Sequence, residues 1–183
     1  MMYETPILYT ERLVLKRGTL EDLQKVYEYD MTKLRNIGGE FEYVKLDPKK
    51  IEGYEIPCPN SYDFTVYLKE DGTPIGNITA DREDIEYNSI ELSFNVHPDY
   101  WRKGYATEAI IEIMRFLFSQ GYDNIICGYS EGNIASESIG KKLGFELLEI
   151  KYDDWEKNGK KINVYVTILS KEKFNELYNF KSK

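Results

Sequence analysis

The sequence predicts a mixed α/β fold: a central sheet with helices on both faces, distinct from a regular doubly wound arrangement. Two observations carry the prediction. Strand-like alternation comes first and in hairpins, because "YDFTVYLK" and "IGNITA" flank the turn "EDGTP" and a second hairpin leads into "SIELSFNV". Beyond residue 97 strands alternate with helical patterns instead, with "NIICGYS" lying between two helices. Hairpins followed by strand–helix alternation give a mixed sheet and not a purely parallel one.

Each element has a local cause. "ERLVLK" alternates as a first strand, and Thr19 with Asp22 makes a capping-box start for a helix through about Tyr29. Residues 30–61 are rich in Gly, Pro and aromatics and read as one or two short helices and a long loop. An insertion of that length in a compact domain is more often functional than decorative. In "SIELSFNV", Ile90, Leu92, Phe94 and Val96 alternate with Glu91, Ser93 and Asn95, until "HPDYWRKG" breaks the pattern. A helix from about Tyr105 to Ser119 follows, with Ala106, Ile110, Ile113, Met114 and Leu117 on one stripe. Gly121 ends it. "NIASESIGKKLG" is helical, with Asn133 at the cap and Gly144 as the stop. Strands at "FELLEIKYDD" and "KINVYVTIL" join through Asn158-Gly159, a hairpin signal, and a short amphipathic tail helix closes the chain.

At 183 residues and 42% hydrophobic content the chain, residues 1–183, reads as a single domain able to bury its own core. Its N-terminus, "MMYETPILYTERLVLK", lacks a basic segment followed by an apolar run, and no stretch reaches the roughly 18 apolar residues of a membrane span. A cytoplasmic location and no membrane partner are therefore expected. Cys58 in a Pro-flanked loop and Cys127 in an apolar run form no disulfide framework, and with a single histidine they make no zinc site, so no metal is expected. A formal charge of −8 argues against nucleic acid as a partner and suits either solubility or a cationic substrate.

"WRKGYATEA", residues 101–109, holds the main functional signal. A strand ends, a basic glycine turn follows and a long helix begins. The first N–H groups of such a helix lack intrahelical acceptors, and the macrodipole places about half a positive charge there. Gly104 permits close approach, Ala106 leaves it unobstructed, and Arg102 and Lys103 add attraction. This is an anion cradle suited to a pyrophosphate, or else a plain strand-to-helix turn with solvated cations.

Three motifs in register widen the reading. "RLVLKRGTLEDL", "HPDYWRKGYATEAI" and "NIASESIGKKLGF" together resemble the GNAT superfamily of N-acetyltransferases, and within it the RimJ/RimL-like branch. The resemblance covers about residues 10–170 and leaves 30–61 as a poorly matched, acceptor-side insertion. It implies a GNAT-like sheet, mostly antiparallel, whose two central parallel strands splay apart. Acetyl-CoA is the implied cosubstrate, its pantetheine arm lying between those strands and adding a pseudo-strand to backbone groups of Phe94, Asn95 and Val96. The pyrophosphate would be held by N–H groups of Arg102, Lys103, Gly104, Tyr105, Ala106 and Thr107. Asn133 would reach the pantetheine amide, with Ser136 nearby and Lys141 or Lys142 close to the phosphates. Asn133 also reads as an ordinary helix cap, and the lysine pair as a solvated helix face.

The implied reaction is direct attack of an amine on a thioester carbonyl in a ternary complex. A lysine-like amine of pKa about 10.4 is neutral roughly once in 2,500 at pH 7, a penalty of about 4.6 kcal/mol. An α-amine near 7.8 is neutral about one time in seven, a penalty of about 1.2 kcal/mol. Glu91, on the strand face shared with Ser93 and Asn95, is the candidate base; the alternative is a solvent-facing strand residue. A backbone N–H near Val96 is the simplest oxyanion donor. The position seven residues after Asn133, tyrosine in many relatives, is Gly140, so Ser136 becomes the candidate partner of the leaving thiolate, unless it bonds only helix backbone.

Other residues read as structural. His97, the only histidine, suits a turn before Pro98; Glu108 complements the helix dipole; Cys127 suits packing. Tyr152 and Trp155 belong either to edge packing or to the acceptor cleft. Acidic residues of the insertion, Glu40, Glu42 and Glu55, suit any cationic acceptor. The function expected is therefore acetyl-CoA-dependent N-acetyl transfer to an amine, a protein N-terminus first, with aminoglycosides or polyamines as alternatives. A non-catalytic acyl-CoA-binding module and a homodimer stay open. A nucleotide-phosphate binder is disfavoured for want of a G-x-x-x-x-G-K-[ST] spacing.

Overall fold

The computed structural model describes residues 3–28, 61–84, 86–157 and 159–178. Nearly all of the predicted insertion, including Glu40, Glu42, Glu55 and Cys58, lies outside them. Eight strands form one sheet: β1 (Leu8–Tyr9), β2 (Leu13–Lys16), β3 (Tyr62–Leu68), β4 (Pro74–Asp84), β5 (Ser89–Val96), β6 (Asn124–Ser130), β7 (Glu146–Lys157) and β8 (Lys160–Ser170). Their spatial order is β1-β2-β3-β4-β5-β6-β8-β7. Every neighbouring pair is antiparallel except β5 with β6.

That exception follows from the connection. Four helices are described: α1 (Leu20–Tyr27), α2 (Tyr105–Ser119), α3 (Ile134–Leu143) and α4 (Lys171–Tyr178). α2 is the crossover between β5 and β6, and a crossover of that length is what parallel neighbours require. The parallel register is short. Only Ser89, Ile90 and Glu91 pair, with Asn124, Ile125 and Ile126, and the strands part beyond.

Two faces result. Ile90 and Leu92 of β5, Ile78 of β4 and Phe64 of β3 meet Ile110, Ile113, Met114 and Leu117 of α2 in one core cluster, and all eight are buried. Ala106, on the same stripe, is only partly buried because it stands at the open end of the helix. The opposite face is polar in the centre of the sheet and is covered by α1 over β4 and β3. Tyr67 of β3 alternates with Val66 and Leu68 of the core and donates its hydroxyl to Asp22 of α1 at 2.8 Å. The capping box at Thr19 forms as its sequence demands, with Asp22 N–H on Thr19 Oγ1 at 3.2 Å and Thr19 N–H on Asp22 Oδ2 at 2.9 Å. The helix stops at Tyr27, and Tyr29 lies outside the described residues.

β1 is not separately legible in the sequence. It exists because Thr10 turns the chain back on itself: its N–H bonds Leu13 C=O, and its hydroxyl accepts the Leu13 N–H, both at 3.0 Å. β7 and β8 pair antiparallel as far as Lys157 opposite Lys160, with β7 as the outer strand, and Asn158 of the hairpin signal lies outside the described residues. Among the described residues no helix is long and apolar enough to cross a membrane.

α3 ends on Gly144 at φ 92°, where Gly144 and Phe145 N–H groups return to Lys141 and Gly140 carbonyls. A Cβ there would stand 2.4 Å from Leu177 Cδ1, whereas one on Gly140 would meet nothing nearer than Phe145 Cβ at 3.9 Å. Gly144→Ala is expected to cost about 1–2 kcal/mol in urea unfolding. Gly140→Ala should instead be neutral or stabilising by up to about 1 kcal/mol, and equal costs at both positions would contradict this account of the helix end.

Candidate functional site

The parting of β5 and β6 opens a cleft of about 440 Å³, a size within the range of small-molecule sites. Its walls come from three places. The end of β5 supplies Phe94, Asn95 and Val96; the turn and first residues of α2 supply Tyr100 to Arg102 and Gly104 to Thr107; one face of α3 supplies Ile134, Ala135, Ser136, Ser138, Ile139 and Lys142.

The orientation of β5 explains why its end serves the cleft. His97 N–H bonds Ile75 C=O on β4, and Asn88 C=O accepts from Asn124 on β6. Peptide alternation then turns the backbone groups of Phe94 and Val96 toward the gap and those of Asn95 toward β4. One of the gap-facing carbonyls is already used, since Trp101 Nε1–H donates to Val96 C=O at 2.6 Å. That bond ties the turn to the strand end. Asn95 also lines the cleft; alternation puts its side chain on the Glu91 face of β5, and its Nδ2 is buried without a hydrogen-bond partner.

The turn itself is shaped for an open helix start. Gly104 is the N-cap at φ 83°, and no side chain caps it. The first helical bond runs from Glu108 N–H to Gly104 C=O, so the N–H groups of Tyr105, Ala106 and Thr107 have no intrahelical acceptor. Arg102 is held at φ 61°, a left-handed conformation uncommon for a side-chain-bearing residue. Its side chain lines the cleft; Lys103 does not, and places its ammonium 5.1 Å from the Tyr100 ring.

On α3 the predicted residues divide. Ser136 and Lys142 line the cleft, while Lys141 faces away and pairs with Glu137. Asn133 acts as the cap, its Oδ1 accepting the Ser136 N–H at 3.1 Å, and is not part of the lining. The lining side of α3 follows residues 134, 135, 138, 139 and 142, a helical face of small and apolar residues that spacing alone makes visible.

Glu91 stands elsewhere. It forms the last parallel pair, with Ile126, at the point where the strands fork, and its partner on β4 is Asp81. It lies on the sheet face opposite Ile90 and Leu92, so it approaches the fork from the side away from α2 and α3. Gly128 faces it across the fork: a Cβ at that position would be 4.0 Å from Glu91 Oε1. The side chain missing there leaves the fork open. Ser136 and Glu91 thus address the gap from opposite faces.

His97 is structural, its Nδ1 accepting the Asp99 N–H at 3.2 Å and its ring edge-on to Tyr100. Cys127 is packed in the core, where burial first and the Glu91 charge second push its thiol up to about 12. Tyr152 and Trp155 are exposed on the outer strand β7, with β6 and β8 between them and β5. Among the described residues no group of His, Cys, Asp and Glu is placed to hold a metal ion.

Sequence reasoning missed the support beneath the cradle. Glu108 accepts from Thr10 Oγ1 at 2.6 Å, from Arg12 N–H at 2.8 Å and from Arg12 Nε at 2.7 Å. Burial would raise its pKa, but these hydrogen bonds and the Arg12 charge together hold it below the ordinary glutamate value. A carboxylate lowered in the folded state contributes stability above its unfolded pKa and loses it as pH falls through the folded one. Glu108→Gln is therefore expected to cost about 1–3 kcal/mol at pH 7. The difference from the wild type should shrink between about pH 5 and pH 3 in urea titrations; a pH-independent difference would contradict the assignment.

Residues 12–146 match the acetyltransferase (GNAT) domain family. An uncharacterised N-acetyltransferase of Bacillus subtilis, YnaD, is 31% identical over 138 residues, covering 74% of this chain and 79% of that protein. Another, p20 of Bacillus licheniformis, is 25% identical over 179 residues, covering 91% and 97%. The crystal structure of a GCN5-related N-acetyltransferase from Brucella melitensis superposes with a TM-score of 0.80 at 18% identity, covering 98% of this chain and 86% of that one.

Proposed function

This chain belongs to the GNAT family of acetyltransferases and is an N-acetyltransferase; from that premise we propose that its cleft takes acetyl-CoA and that an amine reaches the thioester through the fork between β5 and β6. One observation carries the reading: the one parallel pair among the described strands is held for three residue pairs and then opens, beside a helix that starts with uncapped N–H groups. The fit rests on this chain's own atoms. The gap-facing backbone groups of Phe94 and the Val96 N–H suit an extended amide-bearing arm. N–H groups of residues 102–107 suit a diphosphate. Lys142 stands across the cleft to complement it, Lys103 adds diffuse charge, and Asn133, with Oδ1 committed to its cap, has its amide NH₂ to donate.

Acetyl-CoA supplies an activated acyl carbon and a thiolate leaving group. Glu91, at the fork and on the acceptor face, takes one proton from the incoming ammonium, directly or through water, and so frees the nitrogen lone pair that attacks the thioester carbon. Val96 N–H polarises the thioester oxygen, and the Ser136 hydroxyl bonds the departing sulfur. The N–C bond forms as the C–S bond breaks; the second proton of the nitrogen passes to the departing thiolate, which leaves as the thiol, and Glu91 returns the first to solvent.

We place the chain in the RimJ/RimL-like branch on its three motifs and take a polypeptide α-amine as the first acceptor, with residues 30–61 on the acceptor side of one acetyltransferase domain. A polyamine is the second reading, and one observation favours it: the register sets Asp81 beside Glu91 on the acceptor face. Thiol release from acetyl-CoA over a panel of peptides, polyamines and aminoglycosides decides between them. Glu91→Gln is expected to lower kcat/KM about 10²-fold for lysine-like or polyamine amines and less than about tenfold for an α-amine. Ser136→Ala should lower kcat about tenfold with little change in KM for acetyl-CoA. Unchanged rates in both variants would remove these residues from the chemistry.

A further inference from the structure

One guanidinium underlies the whole cradle without lining the cleft. Arg12 Nε bonds Glu108 Oε2, and Arg12 Nη1 donates to the Lys103 carbonyl at 3.0 Å. Its Cζ lies 4.5 Å from the centre of the Tyr105 ring, and Nη2 is 3.3 Å from where a Cβ on Gly104 would stand. Residues 103, 104, 105 and 108 are thus all touched by one side chain. Its own backbone is fixed to the sheet, with Arg12 C=O accepting from Lys69 N–H at 2.9 Å and the next residue, Leu13, wholly buried.

Glu108 gives this arrangement a consequence. In the first turn of α2 its carboxylate favours the helix dipole, yet it also puts a negative charge at the place a diphosphate is to sit. Like charges at that range repel. Both oxygens are consumed instead: Oε1 by the Thr10 hydroxyl and the Arg12 N–H, Oε2 by Arg12 Nε. The dipole keeps its partner while the outward field of the carboxylate is cancelled.

We propose that Arg12 is a positioning residue for the diphosphate cradle, cancelling the Glu108 charge with help from Thr10 and clamping the 103–105 turn so that the N–H groups of residues 105–107 face the cleft. The proposal rests on the acetyl-CoA reading above. Arg12 touches no reacting atom, so its loss is felt in cofactor binding and not in the chemical step.

The test is calorimetry with CoA, together with kcat and KM for acetyl-CoA on the best acceptor of the panel. Arg12→Gln is expected to weaken CoA binding on the order of tenfold and raise KM likewise, with saturated kcat within about twofold. Arg12→Lys, which keeps the charge but loses the fork, should recover only part of the affinity. Because Arg12→Gln strands a partly buried carboxylate, the pair Arg12→Gln/Glu108→Gln is measured too. With no charge left over it keeps the fold, and it should bind CoA more tightly than Arg12→Gln and less tightly than the wild type. Wild-type affinity in folded Arg12→Gln, a fall in kcat as large as the rise in KM, or no recovery in the pair would each overturn the proposal. Wild-type protein that binds no CoA would overturn the acetyl-CoA reading beneath it, a result separate from these three.

Discussion

The structure depends on one junction, the short parallel contact between β5 and β6. A sheet that was antiparallel throughout would close its ladder at every strand and leave no gap-facing backbone. Because this pair is parallel, it needs the α2 crossover, and the crossover brings a helix N-terminus to the edge of the opening. Because the pairing ends at Glu91 and Ile126, the Phe94 backbone groups and the Val96 N–H face the gap outside the ladder, the Val96 carbonyl being taken by Trp101. Cleft, cradle and fork are consequences of one topological choice, and the buried contacts of Ile110, Ile113 and Met114 with β5 hold it in place.

Much of this was legible in the sequence because it is local. The limits of α2, the cap at Asn133, the stop at Gly144 and the capping box at Thr19 each follow from residues within one or two turns of one another, and the structure reproduces them. The alternation in "SIELSFNV" likewise gave the two faces of β5, putting Glu91 opposite the core. What was not legible is long-range. Arg12 and Glu108 are 96 residues apart, and nothing near either one announces the pair. Reading Glu108 as a dipole partner captured half of its situation and missed the cation that completes it. The same holds for Gly128, an ordinary strand glycine in the sequence, whose missing side chain matters only because Glu91 lies across the fork.

An acidic chain proposed to hold a polyanion poses an electrostatic question. The formal charge of −8 describes the whole surface, whereas binding responds to the field within about a Debye length, roughly 8–10 Å in physiological salt. At the cleft that field comes from Arg102, Lys103, Lys142 and the open end of α2, and the one carboxylate in the first turn is neutralised. The acidic residues Asp81 and Glu91 lie on the other face of the sheet. The two signs are thus separated by the sheet, anion-binding on one side and cation-tolerant on the other.

That separation bears on the chemistry. An amine arrives as a cation, is favoured by the acidic face, and must lose a proton before it can attack. On the proposed reading the Glu91 carboxylate at the fork serves both steps: it attracts the ammonium and then accepts its proton. The proposed thioester would approach from the opposite face, where the local field is positive and suits a developing oxyanion or thiolate. Were Glu91 on the α2 face, its charge would oppose both the diphosphate and the leaving thiolate. Strand alternation therefore decides more than burial: a shift of β5 by one residue would move the base to the anion side and leave the fork without one.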